Sequence, residues 1–383
     1  MKSLPSVVLS IFAWGCSSIV TDYAQDNQLQ ITNQSKPTAT GRSVALPDSS
    51  LNARVDKLFA PWDKPGSPGC ALAVVRDGRI IYSRGYGMAD LEHDVSITPA
   101  SAFYVGSLSK QFTAMAVALL AQQGTLRLDD DIHQYLPELP SYDKPITIRH
   151  LIHHTSGLPE YMPLLARAGW RPDAPFGNQD VLAIVARERQ LSFQPGEQFA
   201  YSNTGYTLLA LIVERAARVR FEEFADERIF SPLSMKDTHF HADATRIVKR
   251  RAYAYEPLSG GGLRLAPPVP TRVGAGGVFT TVEDLARWDQ NFYDARVGGA
   301  ELIKLVTTPG ALNNGHLLEY AFGLEVRTYR GLRVVEHGGD FAGYHAYLAR
   351  FPDQHLSVIL LCNLSNINQV PLAHAVADIY LNF

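Results

Sequence analysis

Residues Ser107 to Leu120 read SLSKQFTAMAVALL, and they combine a Ser-x-x-Lys pair with apolar residues at helical spacing. Gly124 stands where a helix of this length would end. Residues three apart share one face of a helix, so the Lys110 amine can reach the Ser107 hydroxyl. The free N–H groups and positive dipole end at a helix start also stabilise negative charge on a serine oxygen. The stretch therefore predicts a helix that presents an activated serine at its N-terminal end.

Two further motifs follow in order along the chain, Tyr201-Ser202-Asn203 and His337-Gly338-Gly339. They supply a phenol, an amide and an imidazole followed by two glycines. Together with the serine and the amine, these groups provide most of what acyl transfer through a covalent serine intermediate requires. A three-residue pattern recurs by chance in a chain of 383 residues, so the prediction rests on the ordered set of motifs.

Look-alike motifs occur elsewhere in the chain but lie on less suitable elements. Residues 141–144 also read Ser-x-x-Lys, with Pro145 directly after the lysine. A residue before proline is pushed out of the helical region, so this copy is not expected to form a helical turn. Residues 380–382 repeat the tyrosine motif at the chain end, where chains fray, and residues 64–66 mimic the third motif in a proline-rich loop.

The composition is that of an ordinary globular protein. The chain is 46% hydrophobic and 19% charged, with a formal net charge of -3. This mild negative charge, without any basic run, argues against a nucleic-acid partner. No apolar run is long enough to span a bilayer.

The N-terminal residues resemble a secretory signal peptide, predicted over residues 1–16. Lys2 precedes a short apolar run, and small residues follow it. Gly15-Cys16 resembles a bacterial lipoprotein cleavage site, so Cys16 is a candidate lipid anchor, and its lipidation is left open. Residues 17–48 are polar and predict a flexible tether. We therefore expect an exported bacterial protein, either periplasmic or anchored to a membrane as a lipoprotein.

Two cysteines remain, and both lie in apolar, strand-like runs. Cys70 begins the run CALAVV and Cys362 ends the run VILLC. This context favours two separate buried thiols, which behave as small hydrophobic residues. A disulfide is the less favoured alternative, open to a chain in an oxidising compartment.

The hydrophobic patterns divide the chain into strand-rich ends and a helical middle. We predict further helices over 51–59, 179–188, 204–217, 282–292 and 370–381, and strands over 69–75, 79–84, 322–328, 332–336, 344–351 and 356–362. These elements predict an α/β (α+β) fold in which both chain ends build one antiparallel sheet flanked by helices. In this interpretation residues 49–383 form the enzyme domain. Residues 49–123 and 270–383 build its sheet part, and residues 124–269 form a mostly helical insertion.

The sequence predicts no metal site and no cofactor. His150 and His154 are four apart and could share a helix face, but no third ligand accompanies them. Gly260-Gly261-Gly262 lacks the lysine and helix of a phosphate loop, which indicates a turn.

Taken together, the chain resembles the serine β-lactamase-related family. This family includes class C β-lactamases, D-alanyl-D-alanine carboxypeptidases, D-aminopeptidases and family VIII-type esterases. The resemblance runs from about Leu51 to the C-terminus and implies a β-lactamase/transpeptidase-like fold. Beyond the three motifs it rests on four supporting segments, which are LIHHTSGLP (151–159), Pro195-Gly196, GGVFTT (276–281) and HGGDFAG (337–343).

The resemblance implies three catalytic residues. Ser107 would be the acylated nucleophile. Lys110 would take its proton, which requires a depressed pKa in a buried site. Tyr201 would carry protons between the nucleophile, the leaving group and water.

It also implies a set of substrate contacts, from Asn203, His337, Gly338 and Gly339. The oxyanion hole would be formed by the backbone N–H groups of Ser107 and Asp340. The β-lactamases carry a lysine where this chain has His337. An imidazole has an ordinary pKa of about 6.5, so the sequence predicts a partial cation at best near neutral pH.

A histidine at position 337, in place of the lysine of the β-lactamases, favours peptidase or esterase activity over efficient β-lactam hydrolysis. The resulting interpretation is a serine hydrolase acting through an acyl-enzyme on D-amino-acid peptides or small esters. Two alternatives remain open, a β-lactamase and a penicillin receptor or cell-wall-binding protein that is acylated without turnover. The expected partners are small molecules or peptides, including peptidoglycan stem peptides or β-lactams, and the oligomeric state is left open.

Overall fold

The computed structural model describes residues 49–171 and 176–383. The predicted signal peptide (1–16) and the whole predicted tether (17–48) lie outside the described residues. Among the described helices, none is long and apolar enough to cross a membrane.

The strands of the described chain are numbered in chain order. They are β1 (Cys70–Arg76), β2 (Arg79–Tyr86), β3 (Met88–Asp90), β4 (Val95–Ser96), β5 (Phe103–Tyr104), β6 (His239–Phe240), β7 (Tyr255–Pro257), β8 (Leu263–Leu265), β9 (Val278–Thr280), β10 (Glu325–Tyr329), β11 (Leu332–Phe341), β12 (Tyr344–Phe351) and β13 (Leu356–Cys362). The helices are α1 (Ser49–Phe59), α2 (Lys110–Gln122), α3 (Ile148–Ile152), α4 (Tyr161–Arg167), α5 (Asn178–Val185), α6 (Asn203–Ala217), α7 (Phe221–Ala225), α8 (Val282–Asp294), α9 (Gly299–Val306) and α10 (Gln369–Leu381).

Strands from both chain ends join one antiparallel sheet in the order β10-β11-β12-β13-β1-β2, which confirms the predicted fold class. The interior strand β1 is buried on both faces because its side chains alternate between two cores. Leu72 and Val74 pack with Val376 of α10, whereas Ala71 and Ala73 face the core that contains α2 and α8. The sheet is therefore covered by helices on both sides.

Strand β11 extends beyond its predicted end at Glu336. Gly338 and Gly339 continue the ladder and pair with Tyr347 and Ala346 of β12. Strand β10, by contrast, pairs only with residues 332–336 of β11. The edge of β11 from His337 onward is therefore not covered by β10.

Cys70 and Cys362 form a disulfide, so the prediction of two separate thiols was wrong. The two residues face each other in the β1–β13 pairing, with their Cα atoms 4.0 Å apart. Each cysteine alone looks like a buried hydrophobic residue. Their partnership depends on a strand register that joins residues 292 positions apart in the sequence.

We expect the double variant Cys70→Ala/Cys362→Ala to lose about 2–5 kcal/mol of unfolding free energy, because the cross-link restricts the unfolded chain. Urea denaturation of oxidised wild type and variant measures this difference. A reductant should lower the wild-type midpoint and leave that of the variant unchanged. Equal midpoints for oxidised wild type and variant would contradict a stabilising role.

Candidate active site

Ser107 lies in a 3₁₀ turn, Gly106–Ser109, that leads directly into α2. The turn places Ser107 just ahead of the helix rather than in its first turn. Gly106 adopts φ +49°, and its carbonyl accepts a 2.7 Å hydrogen bond from the Ser109 hydroxyl. The turn still brings Ser107 and Lys110 together.

The Lys110 amine is fully buried and lies at the centre of the site. Its Nζ atom is 2.9 Å from Ser107 Oγ, 2.9 Å from Asn203 Oδ1 and 2.8 Å from the Ala275 carbonyl oxygen. The first two motifs therefore meet at one nitrogen atom. The third contact comes from the glycine-rich segment 274–277, where Gly274 and Gly277 adopt φ +106° and +105°.

The environment of Lys110 favours the neutral amine. Burial lowers its pKa well below the ordinary value, and the positive charge of Arg272 lowers it further, while Glu160 opposes the shift. A neutral amine has two N–H groups and one lone pair, and the oxygens of Asn203 and Ala275 can only accept. The lone pair is then left for the Ser107 hydroxyl, so the geometry suits removal of the serine proton.

Tyr201 lies in the loop before α6, with its ring centroid 4.7 Å from Lys110 Nζ. The residue is 42% exposed, yet its phenol points inward. Burial raises the pKa of Tyr201 above its ordinary value, and a hydrogen bond with Ser107 opposes that shift. The phenol is therefore protonated at neutral pH and can donate a proton.

Two residues that sequence reasoning did not assign hold this loop in place. The Ser202 N–H donates to His154 Nδ1 at 3.0 Å, and the Asn203 N–H donates to Glu160 Oε2 at 2.8 Å. The His154 ring also packs against Tyr201, with 4.4 Å between centroids. His154 lies in the segment 151–159, and Glu160 follows it directly. The resemblance of this segment to the family was the one sequence signal that could have identified these two residues.

His150 and His154, whose spacing could have placed them on one helix face, do not share one. Helix α3 ends at Ile152, and His154 adopts φ +58°. His150 Nδ1 instead accepts a 3.1 Å hydrogen bond from the Thr147 N–H.

His337 lies on β11 and is almost fully buried, with 3% of its surface exposed. Its Nδ1 is 2.6 Å from the Gly338 carbonyl oxygen, so Nδ1 carries the proton and Nε2 accepts from the Tyr320 hydroxyl at 3.1 Å. Burial lowers the pKa of His337 to about 4. The imidazole is therefore neutral at physiological pH, which lies within the expectation of a partial cation at best.

The glycines after His337 allow β11 to pass close to the serine turn. A Cβ atom on Gly339 would lie 1.9 Å from the Val105 carbonyl oxygen, and one on Gly106 would lie 2.7 Å from the Asp340 nitrogen. Asp340 stands opposite His345, next to the pair that closes the β11–β12 hairpin. In an antiparallel pair, successive backbone N–H groups point alternately toward the partner strand and away from it, and that of Asp340 points away from β12. The Asp340 nitrogen therefore lies beside Gly106, the residue before Ser107, and its part in an oxyanion hole stays a prediction.

The look-alike motifs lie apart from this site. Residues 141–144 form no helix, and Lys144 Nζ pairs with a Glu197 carboxylate oxygen at 3.5 Å. The sequence suggested that Tyr380 lies in a frayed chain end. Instead it is 5% exposed in α10, and its hydroxyl donates a hydrogen bond to Asn52.

The site combines a buried lysine, hydrogen-bonded to a serine, with a protonated tyrosine beside both. On this frame of sheet and helices, the combination defines a serine hydrolase. The chain belongs to the beta-lactamase family, whose model matches residues 55–380. The resemblance predicted from the motifs is therefore confirmed.

Two relatives by sequence are Penicillin-binding protein 4* of Bacillus subtilis (strain 168) and a D-aminopeptidase of Gluconobacter oxydans (strain 621H). The first is 32% identical over 310 residues, which cover 77% of this chain and 68% of the relative. The second is 29% identical over 331 residues, which cover 86% of this chain and 62% of the relative. The chain thus spans about two thirds of the length of these curated relatives.

Solved structures show the same fold. The octameric penicillin-binding protein homologue of Pyrococcus abyssi superposes with a TM-score of 0.75 at 26% identity, covering 87% of this chain and 77% of that one. The D-amino acid amidase of Ochrobactrum anthropi SV3, in complex with L-phenylalanine amide, gives a TM-score of 0.70 at 23% identity. That match covers 87% of this chain and 99% of the amidase chain.

The pH dependence of activity follows from the neutral state of His337. Because its pKa is lowered to about 4, we expect His337→Gln to leave the shape of the kcat/KM profile unchanged between pH 5 and 8. Rates with a neutral ester, in wild type and variant, measure this. A wild-type inflection near pH 6.5 that disappears in the variant would contradict it.

The same shift has a consequence for stability. An imidazole in the unfolded chain titrates near pH 6.5, so between about pH 6.5 and 4 unfolding takes up a proton at this position. The contribution of His337 to the free energy of unfolding should therefore fall as the pH drops through this range.

Proposed function

We propose that this chain hydrolyses D-amino-acid peptides or small esters through an acyl-enzyme on Ser107. The observation that carries the proposal is the set of contacts around Lys110 Nζ. Two of its three neighbouring oxygens can only accept hydrogen bonds, and the third is the Ser107 hydroxyl. This arrangement supports Ser107 as the nucleophile and Lys110 as its base.

In the first half of the reaction, Ser107 Oγ attacks the substrate carbonyl carbon while Lys110 Nζ accepts the hydroxyl proton. The N–H groups of Ser107 and Asp340 stabilise the negative charge on the carbonyl oxygen. Tyr201 donates its proton to the leaving nitrogen or oxygen as that bond breaks, and regains a proton from Lys110. The second half runs in reverse, with water in place of the leaving group.

The remaining predicted residues position the substrate. Asn203 is held by Lys110 and by the N-terminal end of α6, so its amide N–H₂ is available to a substrate carbonyl. His337, Gly338 and Gly339 lie on the part of β11 that β10 leaves uncovered. The names of the D-aminopeptidase relative and the D-amino acid amidase neighbour support a substrate with a D-amino acid.

We also propose that the chain is exported, as its N-terminal sequence predicts. The Cys70–Cys362 disulfide supports this proposal because such bonds persist mainly in oxidising compartments. Cell fractionation of the full chain tests it, and recovery in the cytoplasmic fraction with reduced thiols would contradict it.

A substrate panel tests the proposed activity. The purified protein is assayed with 4-nitrophenyl acetate, a D-alanyl-D-alanine peptide and its amide, a D-amino acid amide, and nitrocefin. Turnover of an ester, peptide or amide, with slower turnover of nitrocefin, supports the proposal. Nitrocefin as the best substrate would identify a β-lactamase. A labelled penicillin that stays bound for hours without turnover of any compound would identify a receptor.

A further inference from the structure

A cleft of about 670 Å³ lies beside the catalytic groups. Pockets of about 300–1,000 Å³ accommodate small-molecule ligands or substrate groups. Its lining combines aromatic, aliphatic and charged side chains, which are Phe199, Tyr201, Leu312, His316, Leu317, Leu318, Glu319, Tyr320, Glu325 and Arg327. Tyr201 connects this cleft with Ser107, and Tyr320 connects it with His337.

The position of Tyr201 indicates which part of the substrate enters the cleft. In the proposed reaction Tyr201 donates a proton to the leaving atom, so that atom lies next to its phenol. The described lining of the cleft includes Tyr201 but neither Ser107 nor Asp340, whose N–H groups are proposed to form the oxyanion hole. The group attached to the leaving atom therefore extends into the cleft.

The charges that line the cleft sum to a negative value. Arg327 Nη1 is 2.6 Å from Glu325 Oε2, and Arg327 Nε is 3.3 Å from Glu319 Oε2. Among the residues that the structure describes, Arg327 is the one guanidinium or ammonium group in the lining. Two carboxylates thus face a single guanidinium, and no positive charge is left over for a substrate carboxylate.

The neighbouring catalytic groups do not reverse this balance. The carboxylates of Glu325, Glu160 and Asp340 each act on the phenol of Tyr201 and raise its pKa beyond the effect of burial. His337 is neutral. Arg272, whose positive charge acts on Lys110, is 9% exposed and has its guanidinium over the rings of Tyr161 and Phe176, outside the described lining.

The rest of the cleft wall suits an apolar group. Leu317 is 72% exposed, and Phe199 is 43% exposed. Both line the cleft, so a bound group would remove their apolar surface from water, which is favourable.

We infer that this cleft is the leaving-group subsite, and that it accepts apolar, uncharged leaving groups and rejects those that carry a carboxylate. The inference rests on the proposed function and narrows its substrate class. It favours esters, amides and peptides in which the leaving part has no free carboxylate near the scissile bond. It disfavours a carboxypeptidase, whose leaving amino acid always carries that charge.

Two matched esters test the inference. The acetate esters of 3-hydroxybenzoate and 3-hydroxybenzamide have the same acyl group, and their leaving phenols differ in charge but hardly in shape. Each kcat/KM, measured at pH 8 where exposed imidazoles are largely uncharged, is divided by the rate constant for hydrolysis by hydroxide. We expect the amide-bearing ester to be favoured by about 5- to 20-fold at low salt, and by less at high salt. Equal values, or a preference for the carboxylate, would overturn the inference and leave the proposed function intact.

Binding of the two free phenols, measured by calorimetry on the full chain, requires no turnover. Tighter binding of 3-hydroxybenzamide supports the subsite even if neither ester is hydrolysed, whereas absence of turnover on all substrates would count against the proposed function alone. Equal binding, or tighter binding of 3-hydroxybenzoate, would overturn the subsite.

A charge-reversal variant connects the preference with the cleft. Glu319→Lys changes the charge of the lining from net negative to net positive, so the ratio of the two kcat/KM values should shift toward the carboxylate by about 3- to 10-fold. Glu227→Lys makes the same change at an exposed glutamate of the segment Asp226–Phe230, outside the lining, and should leave the ratio unchanged. Equal shifts in both variants would indicate a general effect of protein charge and would contradict the assignment to the cleft.

Discussion

Ser107→Ala is expected to lower kcat by about 10⁴-fold or more, because no other group in the site can form the acyl bond. The side chain is small and next to a solvent-facing cleft, so the fold should tolerate the change. Steady-state rates with the best substrate of the panel measure the loss, and thermal unfolding of both proteins verifies that the variant is folded.

Covalent labelling identifies the nucleophile directly. A fluorophosphonate should modify Ser107 in the wild type, as located by mass spectrometry of peptides, and should not label Ser107→Ala. Ser141→Ala is the matched control, since Ser141 belongs to the other Ser-x-x-Lys motif but lies outside any helix. Labelling that persists in Ser107→Ala and is lost in Ser141→Ala would overturn the assignment.

The features that the sequence predicted well depend on local chemistry. The spacing of Ser107 and Lys110 places them together in either a 3₁₀ turn or an α-helix, so the serine–lysine contact survived a small error in the helix start. The apolar runs of β12 and β13 have turn residues between them, and both strands have the predicted bounds. Patterns of this kind are contained within about ten residues of sequence.

The features that it missed depend on contacts between distant segments. The pKa of His337 is set by burial under Tyr320 and neighbouring elements, and a motif does not show how far its histidine is desolvated. The disulfide depends on the pairing of β1 with β13, the first and last strands in chain order. His154 and Glu160 act through backbone N–H groups of another segment, and any residue type can supply those donors.

The same reasoning explains why the cleft could not be predicted. Its carboxylates and Arg327 come from the segment before β10 and from β10 itself, whereas Tyr201 comes from the loop before α6. Each of these residues alone has the pattern of an ordinary exposed side chain. Only the fold shows that the negative charges face the phenol that is proposed to protonate the leaving group.

Lys110 and Tyr201 are expected to act as one proton-transfer unit with Ser107, and a double-variant cycle tests this. Lys110→Met, which keeps most of the buried volume, and Tyr201→Phe should each lower kcat by about 10²- to 10⁴-fold. Tyr201 gives its own proton to the leaving group. It then receives from Lys110 the proton that Lys110 took from Ser107. Loss of either member interrupts the same transfer, and the double variant should therefore be little worse than the poorer single variant.

The control cycle uses Lys144→Met and Tyr253→Phe, in which Tyr253 is 40% exposed and thus resembles Tyr201 in exposure. These changes should have small effects on kcat that multiply in the double variant, because distant, independent sites contribute additively to the free energy. If the losses at Lys110 and Tyr201 also multiply in full, the two residues act in separate steps. Lys110 would then serve only to activate Ser107, and the proton for the leaving group would have to reach Tyr201 from water, so the transfer between the two side chains would be ruled out.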